Sequence, residues 1–263
     1  MNEQIICSTC GTYYPIVDAP ELCTICSDER QYIPVTGQSW TKPSALHRKH
    51  SIKLNRLKDR LYELEINPLF SIGQRALLVL SEQGNVLWDC IPMLDELTIE
   101  FIKSKGGLKA IAFSHPHYYS NMNEWADVFD CPIYIHENDG EHIVYKGSHI
   151  QCWRGDDLEL WDGMSIMLIG GHFAGSSILH VPFLSNKGAI ICGDTLFLSP
   201  SKKHFSVVWS SPNRMPLPVA EMRRIKERFD NIPFDSFYGY QKIQNLEVDV
   251  KEIFEQSMQR YFA

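Results

Sequence analysis

Lys109-Ala110-Ile111-Ala112-Phe113-Ser114-His115-Pro116-His117-Tyr118-Tyr119-Ser120 runs from a short apolar stretch straight into a pair of histidines. Residues 109–113 read as a buried strand. In an extended segment residues i and i+2 point to the same side, so His115 and His117 at the strand end can converge on one metal ion. A histidine pair alone is often just a loop, but three further segments strengthen the case. Gly170-Gly171-His172-Phe173-Ala174-Gly175 sets a histidine in a glycine-flanked turn, where backbone can pass close to a ligand. Ile190-Ile191-Cys192-Gly193-Asp194-Thr195 puts a carboxylate just beyond a buried strand, a common site position in sheet proteins. Leu87-Trp88-Asp89 does the same earlier in the chain.

Outward from these segments, strand and helix signals alternate. Leu61 to Ile66 alternates like a half-buried strand, and Ala76 to Leu80 is fully apolar. Gly84-Asn85 then predicts a hairpin into Val86-Leu87-Trp88. Asp95 to Lys105 reads as a helix with Leu94, Leu97 and Phe101 on one face, acids leading, lysines following and Gly106-Gly107 as the stop. Met122, Trp125 and Phe129 mark a second helix, followed by a strand at Pro132 to His136. Further strands are expected at Ser165 to Ile169, Ile178 to Val181 and Ala189 to Cys192. A helix over Pro218 to Phe229 should bury Val219, Met222, Ile225 and Phe229, and Val250, Ile253, Phe254 and Tyr261 suggest a closing helix. Hairpins mixed with strand–helix units predict a layered α/β architecture.

The N-terminal region has a different composition. Residues 1–35 are rich in Cys, Pro and turn formers, and 36–58 form a polar, basic connector able to carry a short helix. Cys7-Ser8-Thr9-Cys10 and Cys23-Thr24-Ile25-Cys26 are two C-x2-C pairs, and two such turns complete a tetrahedral four-sulfur site. A lobe this short has little core, so metal should supply much of its folding energy. The knuckles resemble those of zinc ribbons and rubredoxins. The short spacing between the pairs favours structural zinc over iron.

The 263 residues suit one sizeable domain, 59–263, with this small appendage. A net charge of −7 argues against generic nucleic-acid binding. No apolar run approaches a membrane span, and Met1 to Cys10 lacks a secretory pattern, so a cytoplasmic protein is expected. Cys90, Cys131, Cys152 and Cys192 are scattered and read as small packing residues. His136, His142, His149 and His180 lack any motif context and are expected at strand ends or in packing.

Taken in order, His115, His117, His172 and Asp194 resemble the metallo-β-lactamase superfamily over residues 60–245. The resemblance implies an αββα four-layer sandwich. Its metal motif is H-x-H-x-D-H, a distant His, an Asp in a G-D-T-like turn, and a last His. It makes His115, His117 and His172 ligands, Asp194 the usual bridging aspartate, and Asp89 a supporting acid near the first ligands. Departures are specific: Tyr119 stands where the family has Asp, Ser120 where it has His, and Tyr240 at the last histidine's place. The ligands private to a second metal are therefore missing, which implies a mononuclear centre of three histidines and one aspartate.

Three imidazoles leave a position on zinc for water or for Asp194. The same four ligands on octahedral iron leave two open positions. Zinc and iron both stay open. The first functional expectation is a metal-dependent hydrolase acting on a small ester, thioester, lactone or related substrate. The alternatives are a mononuclear iron oxidoreductase of the persulfide-dioxygenase kind and a non-catalytic, metal-stabilised binding protein. A phenol cannot act as a base near neutral pH but can donate to a developing oxyanion, which makes Tyr119 and Tyr240 candidate catalytic groups. Ser199 to Met215, with Lys202, Lys203, His204, Trp209 and Arg214, is expected to rim the pocket and suit an anionic substrate. The oligomeric state is not legible in the chain.

Overall fold

Residues 4–263 are described by the structure, a computed structural model. The first three residues of the expected N-terminal lobe lie outside the described residues. Two units divide the chain. One holds the residues up to Ile135 together with Gly140–Cys152, and the other His136–Asp139 together with Trp153–Ala263.

In the first unit, β1 (Gln4–Cys7), β2 (Tyr13–Pro15) and β3 (Trp40–Thr41) form a small antiparallel sheet in the order β2-β1-β3. The stretch expected as a connector contributes α1 (Pro43–Lys49), with proline in the first turn where its missing N–H is harmless, and β4 (Ser51–Lys58). Then follow β5 (Leu61–Asn67), β6 (Arg75–Val79), β7 (Val86–Trp88), α2 (Glu96–Ser104), β8 (Ala110–Ala112), α3 (Met122–Phe129), β9 (Ile133–His136) and β10 (Ile150–Trp153). The seven strands from β4 to β10 make one sheet, in the order β10-β9-β8-β7-β6-β5-β4. As an edge strand β4 has no fully buried side chain and carries Lys53, Arg56 and Lys58, which is why it reads as connector.

The Gly84-Asn85 hairpin forms as expected. The Asn85 side chain accepts the Ser81 N–H at 3.1 Å and donates to the carbonyls of Lys105 and Gly107 at 2.9 and 2.8 Å. β7, β8 and β9 run parallel, so α2 and α3 are crossovers between them. Asp95 caps α2 by accepting the Thr98 N–H at 2.8 Å. The helix face differs from the expected one: Leu97 is 75% exposed, and Thr98 and Ile102 are buried instead. Phe101 packs its ring edge-on against Tyr62 of β5. Within the sheet, Arg75 Nη1 donates to Glu63 Oε2 at 2.7 Å with both side chains fully buried, and Asn55 Nδ2 donates to Glu63 Oε1 at 3.0 Å.

The second unit contains β11 (Asp157–Glu159), β12 (Ser165–Leu168), β13 (Ser177–Val181), β14 (Ala189–Cys192), β15 (Leu196–Leu198), β16 (Phe205–Ser210) and β17 (Met215–Pro216). After these come α4 (Val219–Asp230), β18 (Ser236–Tyr238), β19 (Asn245–Leu246) and α5 (Val250–Phe262). Its main sheet has the order β11-β12-β13-β14-β18-β19, and β15-β16-β17 form a separate antiparallel sheet. β14 pairs in parallel with β18, which makes the chain between them a long crossover. Met222, Ile225 and Phe229 of α4 are buried as expected, whereas Val219, in the first turn, is 49% exposed. Phe254 of α5 lies within an aromatic cluster with Phe205, Phe229 and Phe234.

Candidate metal sites

Each cysteine pair sits on a tight turn. Cys7 ends β1, and the Gly11 N–H donates back to the Cys7 carbonyl at 2.8 Å with Gly11 at φ +83°, a conformation that needs glycine. The Ser27 N–H makes the matching bond to the Cys23 carbonyl at 2.9 Å. The four sulfurs are buried, with Cys7 Sγ 3.7 Å from Cys26 Sγ and Cys10 Sγ 3.5 Å from Cys23 Sγ. A disulfide would need roughly 2.05 Å. Four sulfurs around zinc at about 2.3 Å would stand about 3.8 Å apart, close to the spacing observed. Gln38 Nε2 donates to Cys7 Sγ at 3.2 Å, and the Tyr14 hydroxyl lies 3.3 Å from Cys23 Sγ. Burial pushes the Cys10 thiol well above its ordinary value. A cation at the centre would offset that cost by holding the sulfurs as thiolates.

In the first unit β8 ends at Ala112, and His115 is extended while His117 lies in a 3-10 turn, Pro116–Tyr118, rather than in the extended i, i+2 pair expected; both are buried, with ring centroids 4.9 Å apart. Asp89, just past β7, accepts the Ser114 N–H at 2.8 Å and the Ser114 hydroxyl at 2.9 Å. Ser114 Oγ lies 2.8 Å from His115 Nδ1. A serine hydroxyl has one proton, so donating it to Asp89 leaves its oxygen to accept Nδ1–H, and His115 then presents the lone pair of Nε2. Asp89 thus reaches His115 through Ser114, a residue that the sequence reading passed over. It adopts φ +61°, a left-handed conformation that Asp tolerates, held by its N–H to the Ala112 carbonyl at 2.8 Å. Gln31 is a second residue missed: buried, it places Nε2 3.4 Å from His117 Nδ1.

In the second unit the Gly170-Gly171 turn brings His172 beside Asp194, with Nε2 3.8 Å from Oδ2 and both side chains buried. Gly171 is required there, since a Cβ would stand 2.7 Å from Leu217 at φ +88°. His172 Nδ1 donates to the Trp209 carbonyl at 2.6 Å, which again leaves Nε2 as the ligand nitrogen. The 3.8 Å gap is too long for a hydrogen bond. It is near the separation of about 3.4 Å expected for two ligands on one tetrahedral ion. Tyr240 lies 3.0 Å from Ser211 Oγ, and burial with the nearby Asp194 charge raises its phenol above the usual range. In the expected rim, Trp209 supplies its carbonyl to His172, while Lys202, Lys203 and Arg214 are exposed.

Tyr119 is buried with its ring edge-on to Phe113 at 5.1 Å, and lines a cavity of about 30 Å³ with Tyr13, Ile25, Pro116 and His142. Ser120 accepts a hydrogen bond from Gln74 Nε2 at 3.1 Å. The histidines without motif context find local partners: His136 the Gly155 carbonyl and the Trp153 ring, His142 Glu141, His149 Asp127, and His180 the Pro233 carbonyl. Cys192 is buried in the core of the second unit. No helix among the described residues is long and apolar enough to cross a membrane.

No family model matches the chain. It is 39% identical over 260 residues to the uncharacterised protein YmaE of Bacillus subtilis (strain 168), covering 97% of this chain and 93% of that one. Among solved structures, the DIM-1 metallo-β-lactamase superposes with a TM-score of 0.57 at 11% identity, over 80% of this chain and 97% of that one. The metallo-β-lactamase FIM-1 from Pseudomonas aeruginosa, in its mono-zinc form, superposes with a TM-score of 0.56 at 13% identity, over 80% of this chain and 95% of that one. The chain has the metallo-β-lactamase fold expected from its sequence, and carries at its N-terminus the expected cluster of four cysteines.

Proposed function

The chain belongs to the family of YmaE, and from its fold and its buried histidines we propose that it is a metal-dependent hydrolase-like protein with a single histidine–aspartate metal centre. His115, His117, His172 and Asp194, the residues that match the sequence motif, are its ligands in this reading. The observation that carries this is the His172–Asp194 pair: an imidazole that gives its Nδ1–H to a backbone carbonyl and turns Nε2 toward a buried carboxylate oxygen 3.8 Å away, near the spacing of two ligands on one ion. His115 is set the same way by Ser114 and Asp89. The donor set fits zinc and also fits iron.

A divalent ion held there supplies Lewis-acid polarisation of a carbonyl and acidifies water. The chain's own groups do the rest. Ser114 and the Trp209 carbonyl keep Nε2 of His115 and His172 facing the centre. The Tyr240 phenol, kept protonated by burial, is the donor to an oxyanion or leaving group. Tyr119, held edge-on to Phe113, is the second phenol of this scheme. The substrate is a small ester, thioester, lactone or related molecule, and the lysines of 202–203 favour an anionic one. The cysteine lobe holds a structural zinc. None of the eight cysteines forms a disulfide, which supports a reducing, cytoplasmic setting.

A panel of esters, thioesters and lactones tested on unsubstituted protein and on His115→Ala checks the proposal. Hydrolysis abolished by the substitution supports it. Bound iron with oxygen uptake and no hydrolysis would replace it with the dioxygenase reading.

A further inference from the structure

We propose that Gln31, carried by the cysteine lobe, is a positioning residue for His117, so that folding of the lobe helps to set the second metal centre. This rests on His117 being a ligand of the histidine–aspartate centre. Gln31 follows the second cysteine pair through a turn fixed at both ends. The Ser27 N–H is bonded to the Cys23 carbonyl at 2.9 Å, and the Gln31 N–H to the Asp28 carbonyl at 2.9 Å. Asp28 stiffens the turn, accepting the Arg30 N–H at 2.8 Å and clasping its guanidinium at 2.8 and 2.9 Å. The cysteine knuckle therefore delivers this glutamine to a defined place.

The side chain is 6% exposed, and its amide lies 3.4 Å from His117 Nδ1. Gln31 Oε1 is buried and has no hydrogen-bond partner. With the amide nitrogen facing the ring, Nδ1 must accept, which puts the ring proton on Nε2 and removes Nε2 as a ligand. Turning the terminal amide by 180° hardly changes the heavy-atom positions and lets His117 Nδ1 donate. Oε1 then accepts Nδ1–H, and Nε2 carries the lone pair. His115 and His172 already have this arrangement, through Ser114 Oγ and the Trp209 carbonyl. Histidine ligands generally give their other N–H to such an acceptor. Gln31 makes His117 the third ligand so held.

The test is a chelator competition with zinc on the full chain, with total zinc followed by elemental analysis. Gln31→Met keeps the side-chain length and removes the acceptor. It should weaken the second zinc about 10–100-fold while the cysteines retain theirs. Gln31→Glu restores an acceptor and should recover most of the affinity. A Gln31→Met protein that holds its second zinc as tightly as the unsubstituted chain overturns the proposal. His172→Ala run alongside separates the two levels. If it too leaves the second zinc undiminished, the histidine–aspartate centre falls and the Gln31 role with it. If it releases that zinc and Gln31→Met does not, only the Gln31 role falls. Nitrogen-15 spectra of the histidines in the zinc-loaded, unsubstituted protein need no variant. A proton on His117 Nδ1 is expected, and zinc on Nδ1 would overturn the proposal.

Discussion

Asp89 accepts both the backbone N–H and the hydroxyl of Ser114, at 2.8 and 2.9 Å, and so fixes the oxygen that meets His115 Nδ1. Through Ser114 the Asp89 carboxylate sets the tautomer of His115. Asp89→Asn keeps the shape but weakens the acceptor. It should lower metal affinity at the histidine–aspartate centre about 10–100-fold with the cysteine-bound metal unchanged, as read by chelator competition. Ser114→Ala should do the same, and the double variant should add little, because both act through one hydrogen-bond chain.

The cysteine lobe should depend on its metal. Cys23→Ser removes one of four buried sulfurs, and the remaining pairs cannot close a tetrahedron. Metal at such sites contributes on the order of 10 kcal/mol to folding, more than a three-stranded sheet this small can replace. The expected outcome is loss of one metal ion per chain together with rapid proteolysis within 16–39, while the seven-stranded sheet stays protected from hydrogen exchange.

Tyr240→Phe should leave metal content unchanged, since the phenol is a donor and not a ligand in this scheme. Turnover of any substrate found in the hydrolase panel should fall about 100-fold, the usual effect of losing one oxyanion donor. Burial raises the phenol above its usual range, so the rate should show no loss from Tyr240 ionisation at moderately alkaline pH. A rate unchanged by the substitution would leave Tyr240 as packing beside Ser211.

The Glu63–Arg75 pair is independent of any metal. Both side chains are fully buried and bonded at 2.7 Å across β5 and β6. Arg75→Met strands a buried carboxylate that Asn55 alone cannot satisfy. It should cost about 3–5 kcal/mol, measurable as a lower urea midpoint, whereas replacing both residues with apolar ones should recover much of the loss.

The ligand residues were legible in the sequence because their signals are local. Two C-x2-C turns, an H-x-H at a strand end and a glycine-flanked histidine need only a few adjacent residues to be recognised. The groups that orient them were not. The Trp209 carbonyl belongs to the backbone and has no residue signature, and Gln31 lies in a loop whose path only the folded lobe defines. Ser114 could have been found, since a hydroxyl beside a ligand histidine is a natural acceptor. Leu97 shows the limit of periodicity: Leu94, Leu97 and Phe101 share helical spacing, but Thr98 and Ile102 are the buried residues of the helix. β4 reads as connector because an edge strand with lysines carries no buried alternation.

The most direct measurement is metal stoichiometry, by elemental mass spectrometry, of the unsubstituted chain and of His115→Ala and His172→Ala purified without added metal. One ion at the cysteines and one at the histidine–aspartate centre are expected, with each substitution removing only the second. If the cysteine-bound ion is the only one in the unsubstituted chain, and neither substitution changes that content, the histidine–aspartate centre is contradicted.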